Sequence, residues 1–174
     1  MISADHTRRG SPCLHPAFSL AETAISILLV GGLVVVALNT VGASVAGRQF
    51  TRNRGRGDLL AHHLMSEILR QSYEEPVDTP IWGRESGEGA GSRSAYDDVD
   101  DYDGWGASPP EEKDGTALAH LTGWERSVVV EFVDPNMLTT VSATETGVKR
   151  ITVTVRRDGV DKASLTSIKT IASE

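Results

Sequence analysis

Residues 24–46 (AISILLVGGLVVVALNTVGASVA) contain no charged side chain and no proline. As a helix rising about 1.5 Å per residue they cover roughly 33 Å, the thickness of a bilayer core. No soluble domain of modest size can easily wrap such a segment, so it commits the N-terminal part of the chain to a membrane or to other helices. The run also absorbs much of the apolar content of the 174-residue chain, which is 39 % apolar but only 5 % aromatic. The remainder of the chain makes one modest domain with a thin core.

The flanks of the run narrow its role. Arg8 and Arg9 precede it, then Pro16-Ala17, and a single acid, Glu22, stands at its start. A secretory signal would use the small residues at Val41/Ala43 or Ser44/Ala46 for cleavage, but its apolar core runs only about 7–15 residues. An uncut single-pass anchor accounts for the length and leaves Glu22 unexplained, because a charge at the edge of lipid is costly. Cys13 is the only cysteine, which excludes an intramolecular disulfide. It precedes the apolar run, whereas the cysteine of a lipoprotein signal comes after it.

Ala17-Phe18-Ser19-Leu20-Ala21-Glu22, leading into the apolar run, resembles the cleavage and methylation motif of type IV prepilins and type II secretion pseudopilins. The resemblance implies a basic leader over 1–17, cut after Ala17 by prepilin peptidase, and methylation of the new N-terminal Phe18. Ala17 stands where the family usually has glycine. Glu22 becomes the fifth mature residue, and the family's picture pairs that acid with the N-terminal amine of a neighbouring subunit. An ion that is unfavourable alone near lipid then favours docking. Gly31, Gly32 and Gly42 permit close helix approach. The implied partners are prepilin peptidase, other pilin or pseudopilin subunits and an inner-membrane assembly platform. The implied location is the inner membrane, single-pass with a periplasmic head, and then the filament. Arg48, Arg52, Arg54 and Arg56 lie beyond the run, and a charge count alone would put that side in the cytoplasm. The motif is given precedence over the count.

Residues 47–57 carry glycines, which lower helix propensity, among four arginines, so a linker is expected there, with a break at Gly55–Gly57. Asp58 is a candidate N-cap for an amphipathic helix over 58–73. Leu60, Leu64 and Ile68 recur at i+4, with Leu59, Met65 and Leu69 widening the stripe. His63 and Glu67 share a face at metal-pair spacing, but no third ligand is near, and a solvated His–Glu pair is expected. Further on, Val128, Val130 and Phe132 alternate within 127–133, and Ile151, Val153 and Val155 alternate with Thr152 and Thr154 within 150–156. These are half-buried antiparallel strands. Asp134-Pro135 ends the first, 137–147 has room for a short irregular strand, and Asp158-Gly159 is a hairpin turn leading to a weaker strand near 160–171. The expected fold is α+β: a long N-terminal helix and an antiparallel sheet of three to four strands over 126–174. The same order of elements is expected of a minor pilin.

Between helix and sheet, 76–125 is rich in Gly, Pro and Asp, and holds Asp97, Asp98, Asp100, Asp101 and Asp103 within seven positions. Clustered carboxylates repel unless they are solvated or hold a cation, and hard oxygens are what calcium takes. Structural calcium at these five residues is one expectation. A solvated acidic loop, with Tyr96, Tyr102 and Trp105 tucked against the sheet, is the other. Tyr102 in a ligand position and the lack of a closing glutamate exclude an EF-hand. The Asp-Asp-Val-Asp-Asp-Tyr segment resembles one in minor pilins of the mannose-sensitive haemagglutinin type. A net charge of −7 argues against a nucleic-acid partner. There is no nucleophile elbow, phosphate loop, zinc signature or selected triad, so no enzyme is expected. Two functions remain in view: a structural subunit of a type IV pilus or secretion-like filament, and a membrane-anchored or secreted, calcium-dependent interaction module that forms none.

Overall fold

Ser19 opens the first helix, α1 (Leu20–Ile68). Its carbonyl accepts from the amides of Glu22 (3.0 Å) and Thr23 (3.1 Å), and its hydroxyl accepts from Glu22 N at 3.2 Å. That is an N-cap with Glu22 at the third helical position. The computed structural model describes residues 19–76, 81–89 and 91–171. The chain divides into two compact units between Gly47 and Arg48. In the first, every residue from Ser19 to Val45 is exposed, and α1 is long and apolar enough there to cross a membrane.

In the second unit, α1 passes through Arg48–Gly57 without the expected linker, and Asp58 lies inside the helix instead of capping it. A glycine in a helix costs only about 1 kcal/mol against alanine, and tertiary packing offsets it here. Gly57 is buried, and a Cβ on it would lie 2.9 Å from Lys162 Cβ and 3.3 Å from the Lys162 carbonyl carbon. Glycine is what lets the helix approach the last strand. The buried stripe is therefore Gly57, Ala61, Leu64, Met65 and Ile68, while Leu59 and Leu69 point outward. Leu64 and Ile68 are fully buried, each contributing about 2 kcal/mol of transfer free energy.

The sheet has five antiparallel strands: β1 (Gly106–Ala107), β2 (Trp124–Asp134), β3 (Met137–Val141), β4 (Val148–Arg157) and β5 (Val160–Thr170). The order is β1-β2-β4-β5, with β3 pairing the end of β2. One more strand is present than expected, because the two-residue β1 comes from the loop and has no alternating pattern to reveal it. Val128 faces Val153 and Val130 faces Ile151 across the β2–β4 register, and these side chains are buried against the helix stripe. Asp158 and Gly159 both have positive φ (52° and 75°), the turn geometry a two-residue hairpin loop requires.

Gly57→Val should lower the stability of the head by about 2 kcal/mol, because the added methyls meet β5 with nowhere to go. Gly55→Ala, where a Cβ meets nothing within 4 Å, should raise it by about 0.5–1 kcal/mol. Denaturation followed by the fluorescence of the buried Trp105 and Trp124 checks both.

Candidate functional site

Two places carry the residues singled out from the sequence. Ala17 and Phe18 lie outside the described residues. Glu22 is exposed in the first turn of α1, where an acid also complements the helix dipole. Among the described residues, no cation forms an ion pair with it.

The second place is the segment between helix and sheet, which is part of the core. Tyr96, Val99, Tyr102 and Trp105 join the same buried cluster as the helix stripe and the strands. Tyr96 meets Tyr102 edge-on at 5.0 Å. Two basic residues on the core-facing side of the sheet, Arg126 and Lys149, are fully buried and reach this segment. Lys149 donates to Asp100 and to the carbonyl of Tyr73. Arg93, also buried, forms a two-pronged pair with Glu67 at 2.9 and 3.2 Å and lies 4.1 Å over the Trp105 ring. Tyr102 donates to the same glutamate at 3.0 Å. Burial would raise the Glu67 carboxyl, but Arg93 and Tyr102 outweigh it and hold it below the usual range. The expected His63–Glu67 pair is thus replaced, because Arg93 reaches Glu67 from the buried side while His63 stays exposed. Arg126 is pushed down to about 10 by burial and by the like charge of Arg93.

The five aspartates divide by task. Asp98 Oδ1 accepts from the amides of Asp100 (2.8 Å) and Asp101 (3.2 Å), and Asp101 Oδ2 accepts from those of Asp97 (3.0 Å) and Asp98 (3.2 Å). These reciprocal bonds close the 3-10 turn Asp100–Tyr102. Asp100 is engaged by Lys149 and by Gly83 N at 3.0 Å, and Asp103 accepts from Val130 N at 2.9 Å. Burial, with repulsion from Asp100 and Asp101, pushes Asp98 up to about 7. The five therefore do not converge on one point. Asp98, Asp100 and Asp103 fasten the segment to itself and to the sheet.

Asp97 and Asp101 each retain a buried oxygen, Oδ1, with no hydrogen-bond partner. Asp101 instead meets two residues that sequence reasoning passed over. Glu85, Glu88 and Asp101 each place a carboxylate oxygen within 4.8 Å of the others. Both Glu85 oxygens are shut from solvent and unpartnered, while Glu88 Oε2 accepts from Glu85 N at 3.0 Å. Burial pushes Glu88 up to about 8, and Asp101 and Glu85 add to the rise. Half-buried Glu75 is raised too, by desolvation and by the charges of Asp97, Glu85 and Asp101. In the sequence, Glu85-Ser86-Gly87-Glu88 is an acidic turn 13 residues from Asp101, and no spacing rule links the two.

Set against models of known families, curated proteins and solved structures, the chain matches none.

Glu67→Gln should cost about 3 kcal/mol at pH 7, since it leaves the buried Arg93 without its counter-charge. A carboxyl held below its unfolded pKa stabilises the fold above that pKa and ceases to as pH falls through the folded value. The gap between wild type and variant should therefore close below about pH 4.5, the unfolded glutamate range. Thermal melts from pH 7 to pH 3 measure it.

Proposed function

We propose that this chain is a structural subunit, a minor pilin or pseudopilin, of a type IV pilus or a type II secretion-like filament. The observation that carries the reading is the N-terminal helix: it is apolar and exposed throughout Ser19–Val45, with Glu22 in its first turn immediately after the Ala17-Phe18 motif. A side-chain surface of this kind needs lipid or other helices around it. Gly31, Gly32 and Gly42 meet nothing within 4 Å, and a shallow apolar notch is lined by Ser26, Ile27, Val30 and Gly31. Both leave room for a neighbouring helix to approach closely.

In this reading prepilin peptidase cuts after Ala17 and methylates Phe18. The helix holds the subunit in the inner membrane with the head in the periplasm, and an assembly platform then draws it into the filament. The new amine of Phe18 on one subunit meets Glu22 on another. Before assembly Glu22 sits at the lipid edge with no ion-pair partner among the described residues; in the filament it gains one. That difference supplies a driving force for docking that a purely apolar helix would lack. The α+β head, whose helix stripe packs on an antiparallel sheet, supports the same reading.

The test is the N-terminus of the mature protein when it is produced with a prepilin peptidase. N-methyl-Phe18 is expected by mass spectrometry. An N-terminus at Ser44 or Gly47, or an intact leader, would make the chain a secreted or anchored interaction module instead. Glu22→Ala should be processed like wild type and be recovered from sheared filaments at least tenfold less, as loss of about 1.4 kcal/mol or more of docking energy predicts.

A further inference from the structure

We propose that Glu85, Glu88 and Asp101 form a site for a hard divalent cation of calcium's size. The inference concerns the head alone and does not depend on the filament reading. It also differs from the ligand set expected from the sequence, since Asp98, Asp100 and Asp103 are engaged elsewhere.

The first observation is geometric. The oxygens of Glu85, Glu88 and Asp101 all lie within 4.8 Å of one another. Calcium binds oxygen at about 2.4 Å, so two ligands on opposite sides of it are about 4.8 Å apart. The three carboxylates are therefore close enough together to share one ion of this size.

The second observation is independent of the clustering. Asp101 is completely buried, yet its Oδ1 has no hydrogen-bond partner, and neither do Asp97 Oδ1 or either oxygen of Glu85. Burying a carboxylate oxygen without a partner is unfavourable, and native interiors rarely tolerate it. Here three such oxygens belong to the cluster itself. Among the described residues, no lysine or arginine forms an ion pair with any of these acids. Arg84, in the same loop, donates to the Tyr96 hydroxyl instead.

The third is preorganisation. Asp101 is held by its other oxygen, which takes the amides of Asp97 and Asp98. Glu88 is held by the amide of Glu85, across a turn in which Gly87 has φ +119°. Asp101 and Glu88 are thus each held through one oxygen, and Asp101 Oδ1 and both oxygens of Glu85 are left without a hydrogen-bond partner. Calcium suits them better than magnesium, which demands strict octahedral geometry and keeps several waters, whereas this cluster offers three carboxylates at once. A bound ion would cross-link residues 85–88 to the turn at 97–101 and neutralise their repulsion.

The full chain, purified in detergent and stripped with a chelator, is titrated with calcium chloride by calorimetry and by thermal melting. Saturable uptake of one calcium per chain is expected, with Tm raised by about 5–10 °C at calcium a hundredfold above its Kd. The double variant Glu85→Gln, Glu88→Gln should lose both responses. In chelator it should melt at or above the wild-type Tm, because the crowding of acids around Asp101 is relieved, and this separates a lost site from a damaged fold. Failure to take up calcium at millimolar concentration overturns the proposal. So does a full calcium response in the double variant. An equal Tm rise with magnesium chloride at the same concentration overturns the assignment to calcium.

Discussion

Lys149 lies on the face of β4 that also presents Ile151, Val153 and Val155 to the core, and it is as buried as they are. A lysine there is tolerable only if acceptors reach its ammonium group. Asp100 and the Tyr73 carbonyl do so. That requirement organises the head, because Asp100 belongs to the segment between helix and sheet and Tyr73 to the chain leaving the helix. Arg93 repeats the device by joining the segment to Glu67 on the helix. Lys169 of β5 adds a third tie, donating to the carbonyls of Leu69 and Gln71 that the helix end leaves open. Such pairs add little net stability once desolvation is counted, but a mispaired alternative would leave a buried ion unmatched. They fix where the long segment lies.

Fixing it has a chemical consequence. With Asp98, Asp100 and Asp103 consumed in fastening the turn, Asp101 is left close to Glu85 and Glu88. The head then carries two kinds of acid: those whose charge is matched by Lys149 or by backbone amides, and those that are matched by no protein cation among the described residues. The N-terminal helix presents a similar contrast. Its apolar side chains are exposed throughout Ser19–Val45, and the single acid of that stretch, Glu22, sits at the first turn.

Much of the fold was legible in advance because it depends on local periodicity. The alternation in β2 and β4, the Asp158-Gly159 turn and the uncharged run of 24–46 are matters of side-chain order along the chain. Ala61 and Met65 share the helical spacing of Leu64 and Ile68, although which face of that stripe turns inward depended on the sheet. The expected linker failed because helix propensity at Gly57 is a weak effect, reversed by close approach to Lys162. The two-residue β1 has no pattern of its own and exists because β2 offers it an edge.

The candidate sites divide the same way. The processing motif and Glu22 are statements about adjacent residues, so the sequence by itself was enough to propose them, as it was enough to require a membrane or a helical partner for residues 24–46. Which aspartates are spent and which remain free to act could not be read there. That choice was made by Lys149, Gly83 and Val130, each distant along the chain, and by a turn at Glu85–Glu88 brought against Asp101. Electrostatic matching inside a core acts through space over a few ångströms, and only the tertiary structure decides which charges come that close.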